Sequence, residues 1–267
     1  MRHGREIAGE TAVGREAGGD KGIAVKRKSR SFALCCLTIM IAFGTCTTNG
    51  PREPTIWTLD NLKRIGDLQP QILGSPEVKE TRRGPAIEFN GTSDALILDT
   101  YPLAGWSEFT IEIIFRPDTG GLPEQRFMHT QADDDHRVLV ETRLVDDHWF
   151  LDTYIKSGDS DRTLANRDSL HPLGEWYHAA LTYKENVMTH YVNGVKEASR
   201  RVTYVPLSGG RISIGCRLNE VYWFKGAIRQ VCFSPRALSP SAFVLKNDQA
   251  APGNASDGGK QTSQGMG

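Results

Sequence analysis

Residues 174–194 read GEWYHAALTYKENVMTHYVNG and carry the clearest structural signal in the chain. Two apolar runs of strand length, Trp176–Tyr183 and Val187–Val192, lie in this stretch, and Asn193 and Gly194 follow the second run directly. Asn-Gly is typical of a two-residue hairpin turn, because both turn positions require a positive φ. The stretch therefore predicts two strands and a tight turn into a third.

Outward from this stretch, side chains alternate between apolar and polar with a period of two, and helical spacing is almost absent between Ile56 and Leu245. Clusters of Gly, Asn, Asp and Pro separate the runs, which favours an all-β, two-sheet antiparallel β-sandwich. Further predicted strands are residues 85–89, 95–98, 109–115, 125–131, 137–144, 149–155, 211–215 and 226–234.

Composition excludes several functional classes. The 267 residues contain 32 Lys+Arg and 32 Asp+Glu, and 39% of them are hydrophobic. A neutral chain with dispersed basic residues gives no electrostatic reason to expect a nucleic-acid partner. The five cysteines include no CxxC pair, which argues against the common zinc and iron–sulfur sites.

The N-terminus has the order of a secretory signal. The basic run at residues 26–30 precedes the apolar run Phe32–Phe43, and small residues follow. Three outcomes remain open: cleavage after Gly44, cleavage and lipidation at the lipobox-like Cys46, or an uncleaved anchor. Each predicts an extracytoplasmic protein, secreted or attached to a cell envelope, whose only membrane contact is this segment.

We therefore divide the chain into four parts. Residues 1–44 form a long basic region with the signal or anchor, and 45–54 form a linker. Residues 55–245 form one domain, since a chain of this size supports one large β domain. Residues 246–267, rich in Gly, Ser, Gln and Asn, lack the apolar content to order themselves.

The stretch at 174–194 resembles the WxH…YVNG signature of laminin-G-like, concanavalin A-like jelly-roll domains. Segments at 86–94, 109–117 and 226–239 agree with that pattern in order, so the resemblance covers roughly Ile87 to Phe243. It implies a jelly roll, whose relatives serve as lectins, adhesion modules, hydrolases and lyases. For His178 in the signature, a hydrogen-bonded structural role is favoured over a catalytic one, because no partner is evident.

Charged, amide and aromatic side chains occupy outward positions of the predicted sheet that usually carry Thr, Ser or Lys. The predicted outward residues of three consecutive strands are of the types that hydrogen-bond to sugars or stack on them. They are Gln125, His129 and Gln131, then Arg137, Glu141 and Arg143, then Phe150, Asp152 and Tyr154.

Strand register places two of these carboxylates together. A turn at Asp146–Asp147 sets Leu144 opposite Trp149, so Glu141 lies directly opposite Asp152. Facing carboxylates with Cβ atoms about 5 Å apart repel each other. Such a pair persists where an arginine, a shared proton or a cation compensates it, and Arg143 is two residues away.

Three interpretations of this face remain. It is a surface ion-pair network, a saccharide site with Phe150 as the stacking platform, or a polysaccharide-cleaving site, hydrolase or lyase, that uses Glu141 and Asp152 with His129 as a further candidate. The sequence lacks the ExDxE strand of jelly-roll glycosidases, which weakens the third. We expect carbohydrate as the partner, with catalysis and a purely adhesive protein-binding role as alternatives.

Two minor sites complete the predictions. Cys216 and Cys232 lie on the last two predicted strands and either form a disulfide or remain separate buried thiols. The resemblance also implies a structural Ca²⁺ at the Asn90–Asp94 turn, with Asp94 as the carboxylate ligand.

Overall fold

The computed structural model describes residues 53–246, and the predictions for the N-terminal signal, Cys46 and most of the C-terminal tail lie outside these residues. Among the described residues, no helix is both long and apolar enough to cross a bilayer. The elements in chain order are β1 (Thr55–Thr58), β2 (Gln71–Leu73), β3 (Glu77–Thr81), β4 (Gly84–Asn90), β5 (Ala95–Leu98), β6 (Phe109–Pro117), β7 (Glu124–Asp133), β8 (His136–Val145), β9 (His148–Ser157), β10 (Ser160–Ala165), β11 (His171–Pro172), β12 (Tyr177–Lys184), β13 (Val187–Val192), β14 (Val195–Arg201), β15 (Arg211–Ile214), β16 (Lys225–Ser234) and the 3₁₀ turn Pro240–Ala242.

These strands form two antiparallel sheets of eight strands each, which confirms the predicted jelly-roll sandwich. The first sheet has the order β14-β13-β12-β6-β16-β4-β3, with β1 on β16. The second has the order β10-β9-β8-β7-β15-β5-β2, with β11 on β9. Neighbours in these orders are often distant in sequence, so long connections carry the chain between the sheets.

Aromatic side chains from both sheets fill the space between them. Phe115 of β6 stacks on Phe127 of β7 with ring centroids 4.4 Å apart, and Trp149 of β9 meets Phe115 edge-on at 5.2 Å. Tyr177 packs against Trp149 at 5.0 Å. These four rings join the two sheets at the centre of the core and contribute to its hydrophobic stabilisation.

The predicted turn after β13 is confirmed. Val192 pairs with Val195, and the two turn residues Asn193 and Gly194 have φ values of 51° and 78°. The Asn193 side chain also accepts a hydrogen bond from the His178 backbone N–H at 3.0 Å. The Asn-Gly pair therefore closes the hairpin and fastens it to the neighbouring strand β12.

His178 has the hydrogen-bonded structural role that the sequence analysis favours. Its Nε2 lies 2.9 Å from Glu112 Oε2, and both side chains are fully buried on the outer side of the first sheet. The same carboxylate accepts the backbone N–H groups of Val244 and Leu245 at 3.0 and 2.9 Å. Glu112 thus holds the C-terminal end of the domain against the sheet, and His178 supports it.

Candidate functional site

The site begins with the register of β8 and β9, which is as predicted. Glu141 pairs with Asp152, and Leu144 pairs with Trp149 across a turn in which Asp146 has φ 54°. Glu141 is 2% exposed and Asp152 3%. Two carboxylates are therefore buried side by side on the face of the second sheet that points away from the core, here called the outer face.

A β-bulge in β7 changes which side chains reach this face. The ladder with β8 shifts between Arg126 and Met128, so Arg126 pairs with Glu141 and Glu124 pairs with Arg143. The extra residue, Phe127, reverses the alternation on its N-terminal side. Arg126 and Glu124, which strand alternation alone places inward, therefore lie on the outer face.

The same bulge makes the prediction for Gln125 wrong. Gln125 pairs with Thr142 on the inward side and is fully buried. Its amide donates to the Leu122 carbonyl at 2.9 Å, and its Oε1 accepts the Lys225 N–H at 2.7 Å. Gln125 is thus a structural link between loops and takes no part in the outer face.

Arginines compensate the carboxylate pair. Arg143 Nε donates to Asp152 Oδ2 at 2.7 Å, and its Nη2 lies 3.3 Å from Glu141 Oε2. Arg126 Nε lies 2.9 Å from the same Glu141 oxygen and forms an ion pair with it. The N–H does not point at that oxygen, so neither atom has a hydrogen bond. Glu124 joins the two guanidinium groups by accepting from Arg126 Nη1 at 2.9 Å and pairing with Arg143 Nη1.

Burial raises the pKa of both facing carboxyl groups. The pKa of Glu141 rises to about 7, mainly because the charged form is desolvated; Arg126 opposes the rise and Asp152 adds to it. Burial also raises the pKa of Asp152, against the opposing effect of Arg143. Near neutral pH, Glu141 is therefore protonated in a substantial fraction of molecules, which relieves the repulsion.

Above the carboxylates the outer face opens into two adjoining depressions, which we call the outer groove. The first, of about 210 Å³, is lined by Arg126, Arg137, Leu139, Glu141, Arg143, Asp152, Tyr154, Thr163 and Arg217. The second, of about 430 Å³, includes Phe150, Ala165 and Arg167. Arg143, Asp152 and Thr163 line both, so the two depressions form one continuous surface.

Aromatic rings flank the arginines of the groove. The guanidinium of Arg126 lies over the Tyr222 ring, 3.7 Å from its centroid, and that of Arg137 lies 5.6 Å from the centroid of Tyr154. Tyr222 comes from the loop at 215–224 between β15 and β16 and has φ 58°. Phe150, the predicted stacking platform, lines the second depression but is only 6% exposed.

His129 and Gln131 lie on the outer face but not among the residues that line either depression. His129 is fully buried, and its Nδ1 accepts the Leu218 N–H at 3.0 Å. Burial, with Arg217, Arg137 and Arg126 nearby, lowers its pKa to about 3. The Gln131 amide donates to the Asp133 carbonyl at 2.9 Å. Neither side chain is among the residues that line the depressions with the carboxylate pair.

The structure thus brings together six predicted residues in the outer groove: Arg137, Glu141, Arg143, Phe150, Asp152 and Tyr154. Sequence reasoning missed Arg126, Arg217, Tyr222 and Thr163. The placement of the two arginines depends on the β7 bulge and on the path of the 215–224 loop, for which alternation gives no signal.

Asp94, the carboxylate that the resemblance implies as a Ca²⁺ ligand, is buried and hydrogen-bonded to the backbone. Asp94 Oδ1 accepts the Ser75 N–H at 2.8 Å and Oδ2 accepts the Asn90 N–H at 3.0 Å, so backbone donors occupy both carboxylate oxygens. In the part of the chain that is described, no three His, Cys, Asp or Glu side chains form a cluster able to hold a metal ion. Ca²⁺ at this turn stays a prediction.

Cys216 and Cys232 are separate buried thiols, so the disulfide alternative is not what the structure contains. Cys216 Sγ contacts the Arg217 carbonyl at 3.0 Å, whereas Cys232 packs with Ala86, Ile114 and Trp176 on the outer side of the first sheet. Burial raises the pKa of each thiol to about 12. Such thiols are unreactive at neutral pH.

Comparison with known proteins identifies the superfamily to which the fold belongs. The family model described as the concanavalin A-like lectin/glucanases superfamily matches residues 90–242. No curated protein matches the sequence. Among solved structures, the binding domain of botulinum neurotoxin DC in complex with SialylT is similar at TM-score 0.53 and 11% identity, over 70% of this chain and 49% of that one.

A second similar structure is the Trypanosoma rangeli sialidase in complex with the inhibitor DANA. Its TM-score is 0.50 at 13% identity, over 70% of this chain and 31% of that one. The chain therefore spans about half of the toxin domain and about a third of the sialidase. At such low identities these likenesses establish a lectin-like fold and leave the function to the site.

Proposed function

The chain belongs to the concanavalin A-like lectin/glucanases superfamily, and on that premise we propose that it is a saccharide-binding module whose outer groove holds the ligand. The observation that carries the proposal is the convergence of guanidinium groups, carboxylates and aromatic rings on one open surface. Ligand sites combine apolar surface with a few polar groups held in place, and this groove has that combination.

The buried carboxylates give the groove its rigidity. Asp152 fixes Arg143, and Glu141 and Glu124 lie against Arg126, so the long arginine side chains lose little further rotamer freedom on binding. The Tyr222 ring packs against the guanidinium group of Arg126. A pre-organised set of N–H donors suits sugar hydroxyl and acid groups, and Tyr154 offers a ring against which a sugar can stack.

A purely structural ion-pair network is the plainer account of the same residues. It explains Glu141, Asp152, Arg143 and Arg126, which form ion pairs with one another at 2.7–3.3 Å. It does not explain why Arg137 and Arg217 reach the same depression with no carboxylate of the described residues within 4.0 Å. The uncompensated arginines favour a ligand.

Polysaccharide cleavage is the second candidate function, favoured by the Glu141 pKa near 7, a value suited to a general acid. Against it, Asp152 is engaged by Arg143, and both carboxylates are at most 3% exposed. A carboxylate that must attack or protonate a glycosidic bond has to reach it. Binding without cleavage therefore fits the geometry better.

We further propose that the domain acts outside the cytoplasm, through the basic and apolar runs at residues 26–43. A glycan array combined with an assay for released reducing ends tests the whole assignment. Binding without release supports the proposed function, and release supports the enzyme. Neither binding nor release would favour an adhesive module with a protein partner.

A further inference from the structure

The outer groove has an excess of positive charge. Four arginines line its first depression against two carboxylates, Glu141 and Asp152. Arg126 and Arg143 form the ion pairs with those carboxylates. The other two arginines remain available to an anion, and their positive charge is part of what lowers the pKa of His129 behind them.

Arg137 and Arg217 are the first two arginines of the groove that have no carboxylate partner among the described residues. Arg137 Nη1 donates to the Asp134 carbonyl at 3.0 Å, which leaves its other N–H groups free of carboxylate partners among the described residues. Arg217 comes from the 215–224 loop and lines the same depression as Arg137 and Leu139. Guanidinium groups with unused donors are good sites for carboxylate or sulfate groups.

Arg167 supplies a second positive site at the other end of the groove. It follows β10, lines the second depression with Phe150 and Ala165, and is exposed. No carboxylate of residues 53–246 lies within 4.0 Å of it. The groove therefore has available guanidinium groups at both ends.

The distance between these ends requires an extended ligand. Along β8, Arg137 lies six residues, or about 20 Å of strand, from Arg143, and Arg143 borders the second depression that Arg167 lines. Between them lie Tyr154 and Thr163, whose ring and hydroxyl groups suit the neutral part of a sugar chain. A single small anion fills only one end.

We propose that the ligand is an acidic oligosaccharide, bound along β8 with an anionic group, uronate or sulfate, at each end of the groove. The proposal rests on the proposed function, since it specifies the class of saccharide for that same site. Arg137 and Arg217 bind one anionic group, and Arg167 binds the other. The arginines already paired with Glu141 and Asp152 contact the middle of the chain.

Calorimetric titration of the full chain with three tetrasaccharides tests the proposal: tetragalacturonate, a heparin-derived sulfated tetrasaccharide and neutral cellotetraose. We expect at least one acidic probe to bind about tenfold or more tightly than the neutral one, with affinity falling as salt is raised. Which acidic probe binds identifies uronate or sulfate as the anionic group.

Variants locate the contacts. Arg137→Gln with Arg217→Gln, and Arg167→Gln alone, each lower acidic-probe affinity about tenfold, while Lys at the same positions retains part of it. Arg200→Gln removes one charge from the exposed edge strand β14 of the other sheet and leaves affinity unchanged. Thermal unfolding of each variant shows whether it remains folded.

The outcomes separate this proposal from the one on which it rests. If the neutral tetrasaccharide binds as tightly as the acidic ones, the groove binds saccharides but the acidic assignment is wrong. If the acidic probes bind equally well to the Arg137/Arg217 and Arg167 variants, the assigned contacts are wrong. If no saccharide of any class binds, on these probes or on an array, both proposals fail.

Discussion

Glu141 lies directly opposite Asp152 in the β8–β9 ladder, and Arg143 contacts both carboxylates, with Nε 2.7 Å from Asp152 and Nη2 3.3 Å from Glu141. Like charges at a directly paired position destabilise a sheet unless they are compensated. Here one arginine from β8 and one from β7 provide the compensation, and partial protonation of Glu141 completes it. This arrangement links the stability of the outer face to pH.

The first prediction concerns Glu141→Gln. Folding raises the pKa of Glu141 from an ordinary value near 4.5 to about 7, so the folded state binds more protons between these values. The resulting stabilisation is full below pH 4.5 and is lost as pH rises through 7. The neutral Gln side chain avoids this loss, and we expect the variant to exceed the wild type by about 1–3 kcal/mol at pH 8.

Urea unfolding at pH 8 and pH 4.5 measures this difference. The advantage of the variant should shrink toward zero at the lower pH. Glu53→Gln, the same substitution at an exposed position, is the matched control. A Glu141→Gln protein that is less stable than the wild type at pH 8 would mean that the ion pairs with Arg126 and Arg143 outweigh the cost of burying the charge.

The second prediction concerns His190, which is fully buried with its Nδ1 3.1 Å from Thr153 Oγ1. Burial lowers its pKa to about 4 from an ordinary value of 6.5. The unfolded state therefore binds more protons in this range, and stability falls as pH drops from 6.5 toward 4. Replacing His190 removes this loss of stability at low pH. Glu141 changes stability in the opposite direction over part of the pH range, but it does so equally in both proteins and cancels in their difference.

Comparison of His190→Gln with the wild type isolates the effect. The difference in unfolding free energy, wild type minus variant, should fall by about 1–3 kcal/mol between pH 7.5 and pH 4.5. His148→Gln, at a partly exposed turn position, is the matched control. A wild-type-minus-variant difference that is constant with pH would show that His190 is not held neutral by burial.

The third prediction compares two glycines with positive φ. A Cβ on Gly215 (φ 98°) meets Phe89 Cδ1 at 2.5 Å and the Asp94 carbonyl oxygen at 2.9 Å, whereas at Gly194 (φ 78°) the nearest atom is 4.0 Å away. We expect Gly194→Ala to cost about 1 kcal/mol, from backbone strain alone. Gly215→Ala adds overpacking and should cost about 2–4 kcal/mol. Equal costs in chemical denaturation would contradict the close packing of Gly215 against Phe89.

The fourth prediction concerns Tyr154, the aromatic ring in the first depression. Tyr154→Ala should weaken glycan binding by about tenfold, since stacking on one ring contributes roughly 1 kcal/mol or more. Tyr154→Phe keeps the ring and should retain most of the affinity. If the Phe variant loses as much as the Ala variant, the hydroxyl group and not the ring makes the contact.

Much of the fold could be predicted from sequence, because apolar alternation and turn residues reinforce each other in the long strands. The Asn193–Gly194 turn and the Glu141–Asp152 register were predicted correctly for this reason. Short or exposed strands were harder to predict: β10 was missed, and for β14 only a strand after the Asn193–Gly194 turn was predicted. The β10 segment SDRTLA and the β14 segment VKEASRR carry few apolar residues, and pairing with a neighbour decides their conformation.

The site was predicted only in part, because a one-residue bulge in β7, the missed strand β10 and the 215–224 loop each bring residues to it. Alternation through β7 places Gln125 outward and Arg126 inward, but the bulge at Phe127 reverses both. A single sequence gives no signal for that bulge, since inserting it depends on how Phe127 packs against Phe115. Arg217 and Tyr222 reach the groove from a loop whose path follows no periodic pattern.

The central claim is that the outer groove of the second sheet binds glycans. The most direct measurement is a glycan array probed in parallel with the full chain and with an Arg137→Gln/Tyr154→Ala double variant, after thermal unfolding has shown both to be folded. We predict that the wild type binds a defined set of glycans and that the variant loses this set. A variant that binds the same glycans with the same intensity as the wild type would contradict the account.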